Sequence, residues 1–232
     1  MIDSRKFSIF SVMTARYSKG EEIANTSTHA VGILMGVVIG VIFIVMSVKG
    51  GDAWAEWSIG LYLFGMLGSY IASTLYHALP QDSHAKQVLR KFDHAAIYWH
   101  IAGSYSPITL LAIMQKYPTW GIYMFCFIWI AAIVGTIFSF VKLKQHSHFE
   151  TVCYVLMGLT VVVAFGPLWN SAGPIATYWI IAEGVMYITG AVFYALYKKP
   201  YLHTVFHIFV LLGSICHIIA VWDVLTQFLV GK

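Results

Sequence analysis

The stretch HAVGILMGVVIGVIFIVMSV, residues 29–48, decides the fold of this chain. It contains no Asp, Glu, Lys or Arg over 20 residues. Because an α-helix rises about 1.5 Å per residue, a segment of this length crosses the roughly 30 Å hydrocarbon core of a bilayer. The sequence therefore predicts a membrane-spanning helix at this position.

Composition extends that prediction to the whole chain of 232 residues, 59% of them hydrophobic and only 10% charged, against about 25% charged residues in an average soluble domain. Six further segments have spanning length. The seven predicted spans are 29–48, 57–79, 95–114, 120–141, 152–168, 176–197 and 208–230. We expect an all-α, multi-pass membrane protein: one seven-transmembrane helix bundle over 1–232, with 1–24 as a short cytoplasmic segment and no cleavable signal peptide.

The Lys and Arg residues predict how this bundle is oriented. Eleven lie in the N-terminal segment and the second, fourth and sixth loops, and three lie on the other side. The positive-inside rule places the N-terminus in the cytoplasm and the C-terminus outside, which is opposite to G-protein-coupled receptors. The net charge of +4 is spread over short loops, so we expect no nucleic-acid partner.

Three histidines are predicted to meet at the cytoplasmic end of the bundle. His77 ends the second span, and His203 and His207 begin the seventh with a spacing that places both on one helix face. Such a pair is by itself more often a packing feature. With His77 at the same depth, the three imidazoles can hold one metal ion, and a tetrahedral zinc would keep a fourth position for water.

Two further polar residues lie at the same depth. Ser73 is one helical turn before His77, and Asp93 begins the third span. Asp93 suits a general base for a metal-bound water or a partner of a ligating histidine, and Ser73 suits a hydrogen-bond donor to the oxyanion. Asn25 is interpreted as a helix cap, and His217 as a hydrogen-bonded residue deeper in the membrane.

These residues carry a family resemblance that spans almost the whole chain. The matching motifs are EEIAN at 21–25 with His29, STLYH at 73–77, KFDH at 91–94, GSYSP at 103–107, and HTVFH at 203–207 with Gly213 and His217. The sequence resembles the hemolysin III branch of the progestin and adipoQ receptor (PAQR) family, which is related to the alkaline ceramidases. The resemblance implies an intramembrane zinc held by His77, His203 and His207, with Ser73 and Asp93 acting on its water.

Three functional hypotheses follow. The first is a zinc-dependent hydrolase of a lipid amide or ester, or a regulator of membrane lipid and fluidity homeostasis, in a bacterial inner membrane with membrane lipids as partners. The second is a non-enzymatic sensor or receptor with a structural zinc. The third is a pore-forming cytolysin, which the absence of a predicted signal peptide disfavours. A channel or transporter ranks below these.

Overall fold

The computed structural model describes residues 17–142, 148–196 and 199–231, and in these ranges it contains helices and no strand. The helices are α1 Lys19–Gly50, α2 Ala53–Ala78, α3 His84–Pro107, α4 Pro118–Lys142, α5 His148–Gly158, α6 Phe165–Ala195 and α7 Leu202–Val230. A π-helical turn, Ile108–Ile113, and a short turn, Met114–Lys116, continue α3, and a 3-10 segment, Leu159–Ala164, joins α5 to α6. The all-α prediction is confirmed for this part of the chain.

Five helical stretches within the described ranges are long and apolar enough to cross a membrane: Lys19–Gly50, Ala53–Ala78, Pro118–Val141, Phe149–Ala195 and Leu202–Val230. Their outward faces are apolar, as Leu34 at 65% and Val163 at 74% exposure illustrate. A surface of this kind is stable against lipid rather than water. The chain is therefore a multi-pass membrane protein.

The seven-span count and the orientation of the termini remain predictions. The predicted spans 152–168 and 176–197 fall in one stretch of 47 residues, which is interrupted at Gly173, where φ is 74° and ψ is 177°. The predicted span 95–114 lies in α3 and its π turn. The first turns of α3 carry Lys86, Arg90, Lys91 and Asp93, which shorten its apolar part.

The start of α1 differs from the predicted one. Ser18 is the N-cap, and it forms a capping box in which its side chain accepts from the Glu21 backbone N–H while Glu21 accepts from the Ser18 N–H. Asn25 lies well inside the helix and is fully buried, so its interpretation as a cap is wrong. Residues 1–16 of the predicted N-terminal segment lie outside the described residues.

Helices α1 and α2 pack closely because α1 has glycine at positions 32, 36 and 40, where it faces α2. A Cβ atom on Gly32 would lie 2.4 Å from the ring of Tyr70 on α2. Small residues of this kind permit close helix approach in membranes. The contact brings the first turns of α1 beside the end of α2 and the start of α7, where the predicted histidines lie.

Candidate metal centre

The three predicted histidines do come together. The His203 Nε2 atom lies 3.3 Å from His77 Nε2 and 3.1 Å from His207 Nε2, and one ligand atom of each lies within 4.8 Å of the others. All three side chains are buried. Two nitrogens bound tetrahedrally to one zinc ion lie roughly 3.4 Å apart, given zinc–nitrogen distances of about 2.0–2.1 Å. The spacing therefore fits a shared metal ion.

The outer nitrogens of two ligands fix their tautomers. His77 Nδ1 lies 2.7 Å from Glu22 Oε2, and His207 Nδ1 lies 3.3 Å from the backbone oxygen of Asn25. Carboxylate and carbonyl oxygens only accept hydrogen bonds, so both Nδ1 atoms carry the proton. The Nε2 lone pairs of His77 and His207 then point unprotonated into one buried space, which a cation satisfies.

Glu22 connects His77 to a buried lysine. Its Oε1 atom accepts from Lys86 Nζ at 2.6 Å, and Lys86 Nζ also donates to the Leu79 backbone oxygen at 3.1 Å. Lys86 is 2% exposed and its ammonium lies 4.9 Å from the centre of the Tyr76 ring. From the sequence, Lys86 had no role beyond its place among the loop cations, and Glu22 had no individual role. Both instead hold the outer side of a candidate ligand.

Helix α1 also contacts His77, His207 and the start of α7 through Asn25 and Thr28. Asn25 accepts from Thr204 Oγ1 on α7 at 2.5 Å, and its Nδ2 atom lies 3.5 Å from His77 Nδ1. The Thr28 hydroxyl lies 3.2 Å from His207 Nδ1. Asn25 therefore links both helices that supply ligands. Contacts of this kind around ligating histidines restrict the orientation of their rings.

Several buried nitrogens at the centre have no protein partner in the described part of the chain. They are His203 Nδ1 and both ring nitrogens of His29, whose ring stacks on that of His207 at 3.6 Å and 10°. Buried polar atoms in native proteins are almost always paired, and an exception often marks a water or ion. The ligand set and these atoms together fit a hydrated metal site.

The two predicted catalytic residues are near the centre but do not touch the histidines. Ser73 is buried one turn before His77, and Asp93 is half-buried at the start of α3. No hydrogen bond joins either residue to the three histidines in the described ranges. Their predicted roles stay predictions.

Tyr17 packs against two of the candidate ligands, His203 and His77. Its ring stacks on His203 at 5.0 Å and 23°. Burial is the main cause that raises the pKa of Tyr17 well above its ordinary value, and neighbouring groups that include Asp93 and Glu22 add to it. The phenol is therefore a neutral donor at physiological pH, beside the imidazole of a candidate ligand.

A cavity of about 520 Å³ lies beside the metal centre, between the beginning of α1 and the end of α2. Its polar lining includes His77, Glu22 and Tyr17, and its apolar lining includes Ile23 and Leu79. Small-molecule sites typically have such volumes and such mixed linings. The cavity is large enough for part of an amphiphile.

The other histidines make separate contacts. The prediction of a hydrogen bond deeper in the bundle is confirmed for His217, whose Nδ1 lies 2.7 Å from Glu183 Oε2. His94 Nδ1 lies 2.8 Å from Glu150 Oε2, away from the three ligands. Glu183 was missed, although an acidic residue inside a predicted span is itself a signal of function.

The fold and the site together define a class of protein: a multi-pass helical membrane protein with three buried histidines that can share a metal ion. A sequence model of the family described as "Haemolysin-III related" matches residues 17–218. The chain belongs to this haemolysin III family, and its more distant relatives place it in the hemolysin III branch of the PAQR proteins.

Three relatives illustrate the range of similarity. Hemolysin-3 of Bacillus cereus is 34% identical over 84% of this chain and 87% of that protein. Monocyte to macrophage differentiation factor of Homo sapiens is 28% identical over 88% of this chain and 84% of that protein. The ADIPOR-like receptor IZH1 of Eremothecium gossypii is 27% identical over 88% of this chain and 72% of that protein.

Proposed function

We propose that this chain is a zinc-dependent membrane hydrolase that cleaves an amide or ester bond of a lipid. The observation that carries the proposal is the convergence of His77, His203 and His207 on one buried point, with Glu22 on the outer nitrogen of His77. A triad of neutral imidazoles is a ligand set that zinc prefers, and three protein ligands are typical of catalytic rather than structural zinc.

When bound, zinc supplies Lewis acidity, which lowers the pKa of a water molecule to about 7 and polarises a carbonyl group. The chain's own residues do the rest. Asp93 accepts the proton of the attacking water, and Ser73 donates to the oxygen on which negative charge develops. Glu22 keeps the Nδ1 proton on His77, so that Nε2 remains a lone-pair donor throughout.

The cavity beside His77 supports a lipid substrate. Its lining combines the apolar side chains of Ile23 and Leu79 with the polar side chains of His77 and Glu22. An acyl chain lies against the apolar wall while the scissile group faces the histidines. Membrane lipids are the partners that this arrangement favours.

We place this chemistry at the cytoplasmic face of a seven-span bundle in a bacterial cell membrane. The stretch Phe149–Ala195 has 47 residues, about 70 Å of helix and twice a bilayer core, and its interruption at Gly173 supports two spans. Helix α3 with its continuation to Lys116 supplies another. The eleven-to-three distribution of Lys and Arg supports a cytoplasmic N-terminus.

Metal analysis of purified protein tests the site. We expect about one zinc per chain in the wild type and loss of that zinc in His203→Ala. The control is His84→Ala, because His84 is exposed at the first turn of α3. A wild-type protein without stoichiometric metal, or a His203→Ala variant that retains it, contradicts the proposal.

A substrate panel of lipid amides and esters tests the reaction. Asp93→Asn and Ser73→Ala should retain zinc and lose turnover. If both variants hydrolyse at the wild-type rate, the roles assigned to these two residues are wrong.

A structural metal in a membrane sensor is the second candidate. It is favoured by the fact that the triad joins the end of α2 to the start of α7, with α1 bonded to both. In this case His77→Ala lowers the unfolding temperature and no substrate of the panel yields a product. The name of the Bacillus cereus relative, hemolysin-3, suggests haemolysis, and leakage from dye-loaded vesicles would test that activity for this chain.

A further inference from the structure

A second buried polar cluster lies deeper in the bundle, where four helices meet at Ser214. Its Oγ atom accepts from Tyr70 Oη on α2 at 2.7 Å. It also lies 3.2 Å from Tyr187 Oη on α6 and 3.4 Å from His100 Nε2 on α3. A hydroxyl has one donor and two acceptor sites, so these contacts use its full capacity. None of these groups contacts the three candidate metal ligands directly.

An acid and a base lie next to this cluster. His217 Nδ1 is 2.7 Å from Glu183 Oε2, and both residues are buried. Glu183 precedes Tyr187 by one turn of α6, and His217 follows Ser214 by one turn of α7, so each shares a helix face with a member of the cluster. The second ring nitrogen, His217 Nε2, is buried without a protein partner in the described ranges.

Among the residues that the structure describes, no lysine or arginine forms an ion pair with Glu183. The titratable groups facing the pair are Tyr62 from α2, His100 and Tyr105 from α3, Tyr187 from α6 and Cys216 from α7. None is a lysine or an arginine. An ionised carboxylate beside a neutral imidazole would leave one net negative charge in the membrane interior, which is costly.

We propose that Glu183 and His217 form a proton-binding site that keeps one proton in the middle of the bundle. The proton resides on His217 as an imidazolium beside the carboxylate, or on Glu183 as a carboxylic acid beside the imidazole. In either form the pair is neutral overall. The proton exchanges through the hydroxyls of Tyr187 and Ser214 toward the end of the bundle that holds the metal centre.

Packing on the two sides of the pair sets this direction. Away from the metal centre the interior is closed by fully buried apolar side chains, among them Val221 and Leu225 one and two turns beyond His217. Toward the metal centre, Tyr70 contacts His29 with ring centres 5.2 Å apart, and His29 stacks on His207. Buried polar side chains therefore continue from the pair toward the metal centre, whereas apolar side chains follow it on the other side.

Gly213 shows that the position of Tyr187 is built into the fold. A Cβ atom at residue 213 would lie 2.4 Å from Tyr187 Cε1, so the ring packs directly on the backbone of α7. This close approach brings the Tyr187 hydroxyl to Ser214. A larger residue at 213 would separate the two.

Spectroscopy of the full chain in lipid nanodiscs locates the proton at about pH 8, above the ordinary pKa of histidine and glutamic acid. Nitrogen-15 spectra report whether His217 is an imidazolium, and infrared spectra report whether Glu183 is a protonated carboxyl. His217→Gln and Glu183→Gln assign the signals. If a single variant does not fold, the double variant, in which neither partner is left unpaired, assigns both. One of the two protonated signals is expected; a neutral imidazole together with an ionised carboxylate would overturn the proposal.

Exchange of this proton for deuterium tests the route. Ser214→Ala and Tyr187→Phe should each slow the exchange by about tenfold, the factor that corresponds to one lost hydrogen bond. Tyr62→Phe is the matched control, because the Tyr62 ring lies 5.2 Å from His217 while its hydroxyl donates to Met66 Sδ at 3.4 Å. Equal rates in all three variants would exclude the route through Ser214.

Discussion

Replacement of Glu22 by Gln tests whether the carboxylate beside His77 serves the metal centre. The variant keeps the shape of the side chain and removes the charge that accepts from His77 Nδ1 at 2.7 Å and from Lys86 Nζ at 2.6 Å. Loss of an outer partner of a ligating histidine typically weakens metal binding by 10–100-fold. We therefore expect the zinc dissociation constant to rise by about that factor, or roughly 1.4–2.8 kcal/mol of binding free energy.

The same substitution also leaves Lys86 buried with one backbone acceptor, at Leu79. Removal of one partner of a buried ion pair destabilises a protein by about 3–5 kcal/mol, and less where one side is partly exposed, as Glu22 is at 15%. The double variant Glu22→Gln/Lys86→Met removes both charges. It should recover much of the unfolding temperature without recovering zinc affinity, which separates the effect on the ligand from the effect on the fold.

Competition with a zinc chelator of known affinity measures the dissociation constant, and thermal unfolding in detergent measures stability. Glu21→Gln is the matched control, because Glu21 contacts Ser18 and the Tyr201 backbone instead of a histidine. A Glu22→Gln variant that binds zinc within about twofold of wild type, or a double variant that recovers zinc affinity, would refute the proposed role.

Three further outcomes are expected. Gly32→Ala should lower the free energy of unfolding by about 1–3 kcal/mol, because its Cβ atom would lie 2.4 Å from the Tyr70 ring. Gly60→Ala is the control and should not lower it, because a Cβ atom there has nothing within 4 Å. Equal unfolding temperatures of the two variants would contradict the packing. Glu150→Ala removes the acceptor of Ser139 and the partner of His94, so it should destabilise the protein by about 1–3 kcal/mol and leave its zinc content unchanged. Zinc at a hundredfold excess over its dissociation constant should raise the unfolding free energy of the chelator-treated wild type by about 2.7 kcal/mol and leave that of His203→Ala unchanged. An equal increase in both proteins would show that the zinc binds elsewhere.

Sequence patterns predicted the helices and the ligands because both have strong periodic or compositional signals. Long apolar segments predict helices, and the spacing of His203 and His207 places both on one face. That these two meet His77 follows only from topology and depth, and the distance of 3.3 Å between His203 Nε2 and His77 Nε2 agrees with it. The prediction was possible because a membrane fixes the depth of each residue along its helix.

The partners of the ligands were not predictable in the same way. Glu22 and Lys86 are separated by 64 positions, and no local pattern shows that an acidic residue in the first turn of α1 faces α2 instead of solvent. Asn25 was interpreted as a cap because its residue type favours helix starts. The rotation of α1 about its axis decides both cases, and it depends on tertiary contacts such as that of Gly32 with Tyr70.

The burial of Lys86 bears on how the chain is made. In the predicted orientation, its ammonium is one of the eleven cations on the cytoplasmic side, which by the positive-inside rule would hold their loops there during insertion. After pairing, the same ammonium neutralises Glu22 and no longer faces the lipid headgroups. If the predicted orientation is correct, Lys86 acts first in insertion and then in the packing of α1 against α2. A Lys86→Met chain retains ten cations on that side, so it should insert with the wild-type orientation and be impaired only at the later step.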